Sequence, residues 1–234
     1  MNNLSLITLA VLTAGATEAK AQLSLDEICK NYIEKAGGAE RLKNLSNVTY
    51  EQQLLSNNYE VPQKIIVVNN KAFYSENVIP GKKLVVCVVD NAGWQINPFQ
   101  GSTQPKELTS QELALYKYQM NLNGPIYSYY HDPATKVDSL KLIGKSKVGK
   151  EECYVINVIY KNKYTEKAYI SAADFTLRRI ENPYGNLQLS NYKTIGGISF
   201  PFSKEMSSPQ GSLYVQVLNI KTNQVINDAV FQKP

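Results

Sequence analysis

Apolar side chains recur along this chain with two periods, and the segments that carry each are separate. Leu25, Ile28, Tyr32 and Ile33 fall at helical spacing. Before them, Ser24-Leu25-Asp26-Glu27 has the form of a capping box, and Gly37-Gly38 closes the stretch. This predicts a helix over Leu25–Ala36, followed by a short turn or two over 39–45. A second capping box, Thr109-Ser110-Gln111-Glu112, precedes a stripe of Leu113, Tyr116 and Met120, with Gly124-Pro125 as the expected stop.

Nearly everything else alternates, or runs apolar for four to eight residues, between turn signals. Strands are predicted at 48–54, 63–68, 72–76, 83–89, 94–97, 139–143, 153–160, 165–171, 177–181, 187–192, 198–202 and 212–219. Asn57-Asn58, Asn69-Asn70, Asp90-Asn91, Lys161-Asn162-Lys163 and Gly196-Gly197 separate them as hairpin loops would. The expected fold is mainly β (α+β), an antiparallel meander rather than alternating βαβ units. So long an open sheet must curl, and its concave side needs an apolar filling. Two amphipathic helices supply it. If they fill the curl, the protein is a scaffold; if they leave space, it holds a ligand.

The N-terminus carries a third pattern. The apolar run 4–12 is too short to span a bilayer and is followed by Ala19-Lys20-Ala21, which predicts a secretory signal at 1–21, cut before Gln22. Residues 22–234 then suit one domain, since no linker divides them. No Cys directly follows the small residues, so no lipid anchor is expected. No later run reaches the ~20 apolar residues of a membrane-spanning helix. The chain reads as soluble, periplasmic and not membrane-spanning, with peripheral membrane contact possible.

Composition narrows the chemistry. Cys29, Cys87 and Cys153 are three, widely spaced and without a CxxC, so they form no disulfide framework, and at most one bridge is possible. The net charge of +5 comes mostly from scattered Lys, with Arg only at positions 41, 178 and 179, which argues against nucleic acid as a partner. The one histidine, His131, has Asp132 beside it, but neighbours in a turn point apart and no G-x-S-x-G elbow supplies a nucleophile. No metal-ligand grouping and no cofactor motif is present: the segment 144–151 falls short of a phosphate-binding loop, because Glu151 stands where a hydroxyl is required and a strand follows. It reads as a basic hairpin turn.

The aromatic residues carry more. Tyr116, Tyr118, Tyr127, Tyr129 and Tyr130 are among sixteen tyrosines, with Trp94, Phe99, Met120 and Ile126 near in sequence. Tyr and Trp offer an apolar body with one polar handle and Met adapts its shape, so such a lining suits a greasy ligand with a polar head. Trp94, Tyr116, Met120 and Tyr127 are the candidate ligand-binding residues.

With these pieces placed, the chain resembles the extracytoplasmic lipoprotein-carrier superfamily (LolA/LolB-like), in particular the outer membrane lipoprotein-sorting protein-like members of the Bacteroidota. The resemblance rests on 34–42 (EKAGGAERL), 90–98 (DNAGWQINP), 140–158, 192–202 (YKTIGGISFPF) and the ending 226–234. It implies an unclosed barrel of about eleven strands with helices lidding an apolar cavity, and a carrier that shelters the acyl chains of a lipid or lipoprotein. Burying about a dozen methylenes at ~0.8 kcal/mol each offers roughly 10 kcal/mol before association costs. The expected function is a non-catalytic carrier with transient envelope partners. The alternative is an envelope interaction module with a filled core, and a lipid-ester hydrolase acting through His131 comes third.

Overall fold

The computed structural model describes residues 23–56, 59–79, 81–208 and 211–234. The expected export signal at 1–21 lies outside them. The chain begins with α1 (Leu25–Ala36) and α2 (Ala39–Lys43). Five strands follow: β1 (Asn47–Ser56), β2 (Tyr59–Val68), β3 (Ala72–Ile79), β4 (Lys82–Val89) and β5 (Ala92–Ile96). A short strand β6 (Lys106–Glu107) leads into α3 (Ser110–Lys117) and α4 (Gly124–His131). Seven more strands complete the sheet: β7 (Val137–Val148), β8 (Glu151–Tyr160), β9 (Thr165–Ser171), β10 (Leu177–Asn182), β11 (Gly185–Ile195), β12 (Ile198–Ser208) and β13 (Gly211–Thr222).

All thirteen strands form one antiparallel sheet in the order β6-β5-β4-β3-β2-β1-β13-β12-β11-β10-β9-β8-β7. Among the described residues the meander is broken between β6 and β7, which lie at opposite edges and are joined through α3 and α4, and the C-terminal β13 returns to pair with β1: Val48 faces Thr222 and Leu54 faces Val215. Its two end strands do not pair, so the barrel is unclosed, with thirteen strands rather than about eleven.

The curl follows from distances. Met120 shares an apolar cluster with Val67, Phe73 and Val86 of β2–β4, while Ile126 shares one with Val137 and Leu140 of β7. Nine strand spacings separate β3 from β7 in the sheet order, about 43 Å if the sheet were flat. Six residues of chain reach about 22 Å at most. The helical segment therefore bridges two regions that curvature brings together. Bulges at Glu51/Gln52 in β1, Leu142/Gly144 in β7 and Leu177/Arg179 in β10 supply local bends.

The helix α1 matches its expected bounds, and its capping box forms: Ser24 Oγ accepts from Glu27 N, and the Glu27 carboxylate accepts from Ser24 N at 2.8 Å. It spans two clusters, with Ile28 and Cys29 against β8 and β9 and Ile33 against Ile198, Phe200 and Phe202 of β12. Gly37 fixes the turn into α2. Its φ of 142° is a backbone region that disfavours a side chain, and a Cβ there would meet Gly197 O at 2.9 Å.

Two expectations need correction. The helix after Thr109 ends at Lys117, and Gly124-Pro125 opens α4 instead of stopping α3. A proline in the first helical turn loses no hydrogen bond, because its missing N–H would have had no partner there. The basic turn is also shorter than expected: only Gly149-Lys150 turns, and residues 144–148 belong to β7. The edge strand β6 has no counterpart among the expected strands; two exposed charged residues give no alternation to read.

Candidate functional site: a hollow between the helices and the sheet

Alternation along the strands sorts the sheet into two faces. Ile198, Phe200 and Phe202 of β12 point to the helices, as do Val48 of β1 and Val217 of β13. The helical layer covers much of this concave face, with Met120, Leu113 and Tyr116 over β2–β4 and Ile126 and α1 over β7–β9.

Between these two contacts a hollow of about 180 Å³ remains. Tyr32 and Ala36 of α1 and Leu42 of α2 form its helical wall, with Leu122 and Asn123 from the α3–α4 turn; Tyr50, Leu189, Tyr192, Ile198 and Phe200 form the sheet wall. Most of this surface is apolar. Burial raises the Tyr32 hydroxyl to about 12 and raises those of Tyr50 and Tyr192 as well, so all three stay neutral at physiological pH. The Tyr192 hydroxyl donates to Leu177 O. The buried Asn123 Oδ1 has no donor among the described residues, leaving it able to accept from a hydroxyl or amide N–H brought into the hollow. Lys35 lies exposed at the rim, and no Asp or Glu lines the space.

None of the four candidate ligand-binding residues lines this hollow. Tyr116 and Met120 are brought together in one cluster, where the Tyr116 ring lies 5.2 Å from that of Phe73. Tyr127 packs with Ile33, Leu42 and Ile198, and its hydroxyl donates to Ala39 O at 3.4 Å. Met120 and Tyr127 thus flank Leu122, which does reach the hollow. Trp94 stands apart. It pairs with Cys87 on the face away from the helices, and its Nε1 donates to Phe231 O at 3.3 Å, under a 3-10 turn at Asp228–Phe231.

His131 caps no triad. Its ring lies 4.7 Å from that of Tyr127, while Asp132 Oδ1 accepts from Ala134 N at 2.8 Å and shapes a turn. Among the described residues no group of His, Cys, Asp and Glu is placed to hold a metal ion. Cys29, Cys87 and Cys153 are buried free thiols, and burial raises all three pKa values, those of Cys29 and Cys87 to about 11. They act as small apolar side chains. No helix among the described residues is long and apolar enough to cross a membrane.

The open antiparallel sheet with its helices has counterparts among solved structures. The chain is similar to a LolA superfamily protein from Nitrosomonas europaea, with 14% identity, a TM-score of 0.60, and coverage of 88% of this chain and 97% of that one. It is similar to a DUF1329 family protein from Desulfovibrio piger, with 14% identity, a TM-score of 0.56 and coverage of 86% and 95%. A domain from Vibrio parahaemolyticus named for outer membrane lipoprotein sorting aligns with 12% identity, a TM-score of 0.54 and coverage of 88% and 94%. The chain has the LolA-like fold. No protein-family model and no curated protein matches its sequence.

Proposed function

We propose that this chain is a non-catalytic, periplasmic carrier that shelters an acyl chain, of a lipid or an acylated lipoprotein, in the hollow between α1–α2 and β11–β12. The observation that carries this reading is the hollow itself: apolar-walled space of about 180 Å³ left where helices cover the concave face. The fold shared with a protein named for lipoprotein sorting supports it.

Size sets the mode of binding. An engineered apolar cavity of about 150 Å³ takes a benzene, so this hollow holds a chain end of roughly six to eight carbons. At ~0.8 kcal/mol per methylene that is about 5 kcal/mol, comparable to the lower costs of association. In the observed conformation binding is weak and exchange easy. A dozen-carbon chain needs the helical layer to move outward. The part with least to lose is α3, which has no buried residue.

Native mass spectrometry of the protein taken from its own periplasm, with titration of a fluorescent fatty acid, tests this. A bound lipid mass and saturable uptake are expected; ligand-free species alone with no uptake contradict it. The interaction-module reading has one observation in its favour, a second depression of about 510 Å³ over β11–β13, whose lining includes the polar and charged residues Gln188, Lys204, Glu205 and Tyr214. A specific protein crosslinked at Tyr214, with no lipid uptake, would select it.

A further inference from the structure

The concave wall beside the hollow carries a positive charge with no carboxylate partner among the described residues. In β12, Lys204 continues the inward alternation of Phe200 and Phe202, and its cross-strand neighbours Leu189 and Val215 are buried. Its Nζ lies 4.9 Å from the centre of the Tyr50 ring. Tyr50 and Leu189 both line the hollow. Among the described residues no carboxylate pairs with Lys204, although eight other ion pairs form across the molecule. An ammonium held against apolar neighbours without a counter-ion is costly, and attraction to a ring face offsets only part of that.

Lys35 stands at the rim and no acidic side chain lines the hollow; Lys204 lies beside it, in an adjoining depression that shares Leu189 with the hollow and that Glu151, already paired with Arg178, and Glu205 also line. A neutral, purely apolar cargo would give Lys204 nothing. We propose that Lys204 receives the anionic head group, carboxylate or phosphate, of an amphiphile whose chain occupies the hollow; this rests on the carrier reading above. Burial lowers the Lys204 pKa to about 8, so the ammonium is still mostly protonated at neutral pH and able to pair. Placing the head there runs the chain past Tyr50 and Phe200 toward Leu42 and Tyr32.

The test compares two probes of equal chain length, octanoate and octan-1-ol, by isothermal titration of the full-length mature protein at pH 7, with inorganic phosphate as a third arm. Wild type is expected to bind octanoate about tenfold or more tightly than octanol, the usual worth of a charge-assisted contact. Lys204→Met is expected to abolish the preference and leave octanol binding unchanged, whereas Lys35→Met keeps the preference; melting curves of both variants establish that they fold.

Equal binding of the two probes by wild type would overturn the proposal while leaving the carrier reading intact. So would a preference that survives Lys204→Met, or one lost in Lys35→Met instead. Phosphate alone competing as well as octanoate would mark a free-anion site, also against the proposal. Failure of both eight-carbon probes to bind would remove the carrier reading, and this inference with it.

Discussion

The Lys204 ammonium and the Tyr50 ring meet at 4.9 Å across the intervening strand β13, on the face of the sheet that the helices cover. An ammonium in such a place weakens the fold at neutral pH. Its pKa is lowered from 10.5 to about 8 by burial. Below pH 8 both folded and unfolded chains carry the proton and the full burial cost is present. Between about pH 8 and 10.5 the unfolded chain binds more protons than the folded one, so stability rises with pH in that window. Lys204→Met is expected to stabilise the protein at pH 7 by up to about 3 kcal/mol, with the gain shrinking as pH rises through 8 to 10.5. Urea denaturation of both proteins across that range checks the sign; a gap that widens with pH contradicts it.

The two capping boxes have the same chemistry but different stakes. Ser24 starts a helix that buries Ile28, Cys29 and Ile33, whereas Thr109 starts one with no buried residue. Ser24→Ala is expected to cost about 1 kcal/mol of global stability. Thr109→Ala should leave the unfolding midpoint nearly unchanged and show instead as faster hydrogen exchange over 110–117, since only local structure depends on it.

Trp94 is the chain's only tryptophan and reports on a single contact. Phe231 O accepts from both Trp94 Nε1 and Cys87 Sγ, so the C-terminal turn shields the indole from solvent. Removing residues 228–234 is expected to move tryptophan emission to longer wavelength and to cost about 1–2 kcal/mol. Fluorescence of the truncated protein under native conditions checks this. An unshifted spectrum would mean that the turn does not cover the ring. Adding an acyl ligand, by contrast, should leave this emission unchanged, because Trp94 faces away from the hollow.

Local signals explain which parts were legible in the sequence. At α1 the apolar spacing, the Ser24–Glu27 box and the Gly37-Gly38 stop agree, and the bounds coincide with the structure. Each of the twelve expected strands has a counterpart in the sheet, because alternation and hairpin punctuation reinforce each other. Gly124-Pro125 misled because the same pair serves at either end of a helix. The hollow was not legible. Alternation separates the two faces of a strand without saying which one the helices will cover, so Trp94 looked equivalent to an inward aromatic residue. The actual walls, from Tyr32 to Phe200, come from segments up to 168 positions apart. Lys204 gave no signal either: a lysine just past the expected end of a strand at 202 reads as solvent-facing. An unsplit apolar inward rhythm extended two residues further would have flagged it.

The central claim is that the space beside Ala36 takes an acyl chain. Ala36 lines the hollow from α1, so Ala36→Phe fills much of it from the helical side and leaves the sheet's own residues unchanged. The decisive measurement is titration of a fluorescent fatty acid into wild type and into Ala36→Phe, with circular dichroism and melting showing that both are folded. Saturable binding to wild type that is weakened at least about tenfold in Ala36→Phe is the predicted result. Equal binding by the two folded proteins, or none by wild type, would contradict it.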